Sequence, residues 1–283
     1  MGFVDEQFPF KFTNHAIVYA TVDGEGVFLD GTSNPFQYGA PSDFIRGRTA
    51  LVLAEDGVRF VETPAGAADN SSWTETVDLT VRGDGSLEVE AVVTYGGGEA
   101  AALRDRFRTR PASEVERLDR QWIARHYVLA DEVSLVQEED PAAGAGALER
   151  TLTLRSTEHV RKLGPVLLME LPVLELPGGI KPRQDPHDFP VWVTPMAYEL
   201  HMTIHLPLGY EAVELPDDRK SIRPGGTIKV DFDAKGDTIT VDATASWNKA
   251  RVAAAAAESY AQFRTELAEV LDEELVFVKG GAR

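Results

Sequence analysis

The sequence predicts a mainly β protein of the α+β class. A short unit of hairpins over residues 1–63 precedes an antiparallel β-sandwich with two helices over residues 68–283. Three observations carry that prediction. Apolar residues alternate at period two through Trp73, Val77, Leu79 and Val81, and again through Leu87, Val89, Ala91, Val93 and Tyr95. Such alternation marks strands with one buried face. Glycine-bearing turns separate the alternating runs, as at Gly83-Asp84-Gly85 and Lys235-Gly236-Asp237. Helical spacing is confined to two stretches, near 112–127 and 251–275.

The elements follow in order. "NHAIVYATVDGEGVFLD" reads as a first hairpin, and "RTALVLAEDGVRFVE" as a second that turns at Asp56-Gly57. The small, polar "AGAADNSS" (65–72) is a linker. After the 73–95 hairpin comes "PASEVERLDRQWIARHY" (111–127), a helix on which Val115, Leu118, Trp122 and Ile123 share a side. Ser113 and Glu116 read there as a capping box. "PAAGAGA" (141–147) is a turn, and "RTLTLRS" (150–156) returns to strand. "YELHMTIHL" (198–206) buries Tyr198, Leu200, Met202, Ile204 and Leu206, and another hairpin spans 227–247. The closing stretch to Val278 reads as one amphipathic helix through Tyr260, Phe263, Leu267, Val270 and Leu271, with Glu266, Glu269, Asp272, Glu273 and Glu274 on its solvated face.

Composition narrows the function classes. With 43% hydrophobic and 26% charged residues, the chain is globular rather than disordered. Its net charge of −18 disfavours phosphate backbones and anionic lipid, so neither nucleic acid nor membrane insertion is expected. There is no cysteine, which excludes disulfides, thiolate zinc sites and a cysteine nucleophile within these residues. The opening "MGFVDEQFPFKF" carries neither a secretory signal nor a complete myristoylation pattern.

The first hairpin holds an imidazole and a carboxylate, His15 and Asp30. With an even-numbered loop, His15, Asp30, Thr32 and Asn34 share one side of the sheet. A turn centred on Val22-Asp23-Gly24-Glu25 sets His15 opposite Asp30 or one diagonal step away, about 5–8 Å at Cβ. A turn centred on Gly24-Glu25 separates them by roughly 13 Å. Spacing alone leaves both registers open. A histidine oriented by a carboxylate is the base half of a nucleophilic triad; a strand-ending histidine and a turn-opening Asp30-Gly31 are the structural alternative.

The stretch from Thr13 to Leu53 resembles the end of the transglutaminase-like core of large bacterial proteins. There an Asn-His-hydrophobic strand precedes a "fLD-x-T" strand, a Gly-Pro loop and an "alv" strand. Asn14, His15, Leu29, Asp30 and Thr32 match that pattern. Residues 73–283 resemble the β-rich domain that follows the core, through Asp84, Gly85 and Leu87, "LPLGYEAVELP" (206–216), and Tyr260, Phe263 and Arg264. The resemblance implies a Cys–His–Asp triad of papain-like geometry, with His15 as base and Asp30 as its orienter. It implies chemistry on amide bonds, hydrolysis or acyl transfer through a thioester, and a periplasmic or extracellular setting. It also makes residues 1–63 the last strands of a catalytic core. The family's cysteine lies on a helix before the His strand, so these residues are expected to be inactive alone. Their expected partners are an upstream Cys-bearing segment or domain and a protein or peptide substrate. A non-catalytic β-sandwich binding or scaffolding module is the alternative.

Other constellations are weaker. His201 and His205 on a strand stand roughly 13 Å apart, too far to share one ion. "QDPHDF" gathers Asp185, His187 and Asp188 in a loop, an inconspicuous metal pattern. Ser33, Ser42 and Ser113 lack a nucleophile-elbow context. "TYGGGEAAALR" lacks the Lys-Ser/Thr of a phosphate loop, and its glycines read as a strand end. No cofactor and no metal are expected.

Overall fold

A computed structural model describes residues 15–31, 45–55, 57–65, 71–126, 130–137, 146–172, 191–193, 195–248, 251–271 and 273–280. Two hairpins come first: β1 (Val18–Val22) with β2 (Glu25–Leu29), and β3 (Thr49–Ala54) with β4 (Gly57–Glu62). The long hairpin β5 (Ser71–Val81) and β6 (Leu87–Gly96) leads into helices α1 (Gly97–Thr109) and α2 (Ala112–His126). Strands β7 (Ala130–Gln137), β8 (Leu148–Ser156), β9 (Val160–Leu163), β10 (Val166–Glu170), β11 (Val191–Trp192) and β12 (Met196–His205) follow. Then come β13 (Tyr210–Glu214), β14 (Arg219–Arg223), β15 (Gly226–Lys235), β16 (Thr238–Trp247) and β17 (Arg251–Val252). The chain closes with α3 (Ala257–Leu271) and β18 (Glu274–Lys279).

An eight-stranded sheet, ordered β14-β15-β16-β12-β5-β6-β8-β7, organises the protein. Its central strands alternate between a buried and a more exposed face. Trp73, Val77, Leu79 and Val81 on β5, Val89, Ala91 and Val93 on β6, and Leu200, Met202 and Ile204 on β12 are all buried. Glu75 is buried on the same face of β5, and residues of the opposite parity are half-buried or exposed. The four-stranded sheet β13-β18-β10-β9 contributes Tyr210, Phe277, Leu275, Leu167, Met169 and Val160 to the same core. Two sheets sharing one interior make the mainly β, α+β architecture that the alternation predicts. The large sheet is mixed, however. β12 pairs β5 in parallel, Ala197 against Ser72 through His205 against Thr80. That pairing joins strands more than a hundred residues apart, and no local pattern announces it.

Among the described residues three α-helices are present rather than two. The glycines at 96–98 do end a strand, yet Gly97 adopts φ +53° and turns the chain directly into α1. Ala100 and Leu103 from α1 enter the core over β5 and β6. α1 stops at Arg110 (φ −113°, ψ 147°), because the residue before a proline is driven to extended backbone. Pro111 then starts α2, its carbonyl accepting from the amides of Glu114 and Val115 at 2.9 and 3.1 Å. Ser113 therefore lies inside the first turn and not at the cap position of the predicted box, while Glu116 pairs with Arg120 at 2.6 Å.

The C-terminal helix is also shorter than its apolar spacing suggested. Residues 254–256 form a 3-10 turn before α3, and residues 274–279 form β18, paired with both β10 and β13. The acidic run divides accordingly. Glu274 on β18 binds Arg161, Glu273 lies 3.8 Å from Arg219, and Glu266 binds Arg223 and, at 2.6 Å, Ser221. Asp272 and the side chains of Arg264, Leu267, Val270 and Leu271 lie outside the described set.

α3 docks where Phe263 meets Trp247 edge-on at 5.9 Å and Tyr260 at 6.1 Å. Gly226 makes that approach possible. A Cβ there would sit 2.4 Å from the Phe263 ring and 2.8 Å from the Ser246 carbonyl. Gly226→Ala is expected to lower the unfolding free energy of the chain by about 1–3 kcal/mol, read by urea denaturation. The hydrogen bond from Arg223 depresses the Glu266 carboxyl below its ordinary 4.5. A depressed carboxylate contributes stability above its unfolded value and loses it as pH falls through the folded one. Glu266→Gln should therefore be less stable than wild type at neutral pH, with the difference closing once pH drops below that range.

Candidate functional site

The β1–β2 hairpin builds the site from its turn upward. Val22 pairs with Glu25, leaving Asp23 and Gly24 as a two-residue loop with φ +50° and +85°. Left-handed backbone at both positions is the type I′ turn, whose twist matches that of paired strands. Of the two registers open in the sequence, this selects the one that pairs Val18 with Leu29. Continuing it by one pair sets Asp30 across from Ile17, with His15 one diagonal step away on the same face.

The side chains close that step. His15 Nε2 lies 3.0 Å from Asp30 Oδ2. The carboxylate side chain is 3% exposed and the imidazole 25%. A buried carboxylate is costly unless hydrogen bonded or paired. An ionised carboxylate only accepts, so a neutral His15 in this contact carries its proton on Nε2 and has Nδ1 as its basic nitrogen. The arrangement can hold an oriented neutral imidazole.

The same face carries the residues that hold the hairpin. Tyr19 stands opposite Phe28, their rings 4.9 Å apart and tilted. The Tyr19 ring lies across β2 at Gly26, where a Cβ would come within 2.0 Å of its hydroxyl. Arg59, from β4, stacks over Tyr19 at 5.5 Å and links the two hairpins. Thr63 ties off the second hairpin, accepting from the Arg48 amide at 2.8 Å and donating to the Ile45 carbonyl. Tyr19 and Phe28 are not among the sequence candidates, although the register that brings His15 to Asp30 also sets them opposite each other. Arg59 comes from the next hairpin, which no spacing rule connects to the first.

Other sequence candidates are dispersed. His201 and His205 project from the outer face of β12, and each meets its own carboxylate. His201 Nδ1 is 2.8 Å from Asp242, and His205 Nε2 is 3.1 Å from Asp78. Among the described residues no group of three or more His, Asp or Glu is arranged to hold a metal ion. Nor, among them, is any helix long and apolar enough to cross a membrane. Ser113 sits in the first turn of α2. Asn14, Thr32, Ser33, Asn34, Ser42, Asp185, His187 and Asp188 lie outside the described residues.

A second polar cluster lies inside the fold. Arg150 on β8 binds Asp119 of α2 at 2.7 Å, with Phe107 and Trp122 flanking its guanidinium at 5.7 and 5.9 Å. Tyr95 adjoins Arg150 and Glu75, and burial pushes its phenol well above the ordinary value. Arg104 donates to the carbonyls of Gly146 and Ala147 at 2.7 and 3.0 Å. These contacts fasten α1 and α2 to the sheet.

Comparison with known proteins adds a partial family match. Residues 174–277, which run from before β11 into β18, match DUF3858, a domain of unknown function with solved structure. That is less than half of the chain. No curated protein matches it. Among solved structures, a protein from Parabacteroides distasonis described as a "putative protease" is similar at 14% identity and a TM-score of 0.40. The likeness covers 93% of this chain and 35% of that one, so the chain spans about a third of that protein's length.

The turn is the point at which the pair can be broken without touching it. Gly24→Ala forces a Cβ into φ +85° and should destabilise the hairpin by about 1 kcal/mol. The expected readout is faster amide exchange across β1 and β2, with protection in the eight-stranded sheet unchanged.

Proposed function

We propose that His15 and Asp30 are the general base and orienting carboxylate of a transglutaminase-like thiol enzyme acting on amide bonds. The nucleophilic cysteine is contributed by a polypeptide segment outside these residues. The carrying observation is the 3.0 Å contact between His15 Nε2 and Asp30 Oδ2. Nδ1 then takes the thiol proton as sulfur attacks the carbonyl carbon. The imidazolium so formed, stabilised by Asp30, returns the proton to the departing amine. The thioester passes its acyl group to water or to a second amine, and the pair serves either outcome.

With no cysteine in the chain, these residues hold a base without a nucleophile. The resemblance in the 13–53 stretch supports a bacterial, exported parent protein, and protein or peptide amides suit its substrate class. A non-catalytic β module is the second reading. It is favoured by the bulk of the described chain, which lies in the eight- and four-stranded sheets rather than in the hairpin that carries His15.

The test compares this chain with a longer form carrying an upstream Cys-bearing segment, on amide substrates, with and without a thiol-alkylating reagent. The chain alone should show no turnover. The longer form should turn over, lose activity on alkylation, and fall by roughly a thousandfold or more in kcat/KM on His15→Ala. Thiol-independent hydrolysis by the chain alone contradicts the proposal, and a longer form inactive on every amide favours the binding module.

A further inference from the structure

The two principal sheets present four edge strands, and in three of them features that discourage further pairing reach the middle of the strand. β14 sets Arg219, Lys220 and Arg223 along its edge and is tied to α3 through Ser221, Arg223 and Glu266. β9 is four residues long, with Arg161 and Lys162 at its centre. β13 is interrupted by a register shift between Ala212 and Glu214. Charge, brevity and bulges are the devices by which edges avoid joining.

β7 carries two charges, Asp131 and Glu132, and one irregularity, between Ala130 and Glu132, but all of them sit at its start. It is eight residues long and contains no Lys, Arg or Pro. From Glu132 onward it runs in unbroken register with β8, and among the described residues no strand pairs with its other side. Leu135, opposite Leu152, packs against the core. Val133, opposite Leu154 and on the same face, is 45% exposed. Val136, on the outer face opposite Thr151, is 61% exposed.

We infer that β7 pairs with β7 of a second copy of this chain, antiparallel, about a two-fold axis through Ser134. An isologous interface sets residue i against j and j against i. In this register Val133 of each copy lies opposite Leu135 of the other, and Glu132 lies opposite Val136. Residues that face each other then share parity, so the buried faces of both large sheets lie on one side and their cores join through Val133 and Leu135. A one-residue slip would set the buried face of one sheet against the outer face of the other. Moving the axis to Leu135 would leave Val133 opposite position 137 and lose the apolar pairs. No like charges oppose each other along the regular run, which suits the approach of two copies that each carry −18.

Sedimentation equilibrium of the full chain and two variants tests the register. Wild type should form a dimer at tens of micromolar. Val133→Lys, which buries an ammonium opposite Leu135, should weaken dimerisation by at least roughly tenfold. Val136→Lys, which sets an ammonium across from Glu132, should leave it unchanged or tighter. Both positions are exposed in one copy, so thermal unfolding followed by circular dichroism verifies that each variant folds. The inference is overturned by a wild-type monomer throughout, including one that binds an added peptide strand at β7. It is equally overturned by a dimer indifferent to Val133→Lys, or by one lost as readily with Val136→Lys.

Discussion

Strand register, set by short turns with left-handed backbone, is the constraint on which the rest of the protein depends. In the first hairpin it rests on Asp23 and Gly24, which decide that Ile17 and not a more distant residue stands across from Asp30. In the large sheet, Gly85 and Gly236 do the same for β5–β6 and β15–β16. A slip of one residue in either would send Val77, Leu79, Val241 and Ala243 to the outer face. The buried face and the His15–Asp30 contact are consequences of one geometric rule at two scales.

The helices add a polar fastening to this apolar frame. Arg150 is buried on the core face of β8, where its charge is tolerable only because Asp119 and the faces of Phe107 and Trp122 receive it. Breaking such a pair by removing one partner costs more than the pair contributes, since the remaining charge stays buried. Arg150 and Asp119 therefore specify where α2 lies more than they stabilise the fold. The hairpin that carries His15 is held by different means, through aromatic contact of Tyr19 with Phe28 and the stacked guanidinium of Arg59.

Local periodicity carried the β class, the paired hairpins and the facing of the alternating apolar residues it named on β5, β6 and β12. It failed where two local signals compete. Gly96, Gly97 and Gly98 outweighed the helix-forming Ala100 to Ala102 in the sequence, so α1 went unseen. At the other end, the apolar spacing of α3 runs on into "ELVFV", whose alternation Leu275, Phe277 is that of a strand. It became β18 because β10 and β13 flank it, partners that lie far away in the chain. The parallel β12–β5 pairing and the reach of Arg59 to Tyr19 are likewise products of tertiary packing. At the candidate site the sequence offered the two residues and two registers, and the conformation of Asp23 and Gly24 chose between them.

The functional account turns on which imidazole nitrogen Asp30 engages. Nε2 bound to the carboxylate leaves Nδ1 as the basic nitrogen, and the proposed proton transfer from sulfur requires that assignment. Long-range proton–nitrogen correlation spectra of His15, taken above the pH at which the ring is protonated, read the tautomer directly. The account predicts the Nε2–H form in the wild-type chain and a mixture of tautomers in Asp30→Ala. A wild-type ring protonated at Nδ1, or one whose tautomer ignores the loss of Asp30, would contradict it.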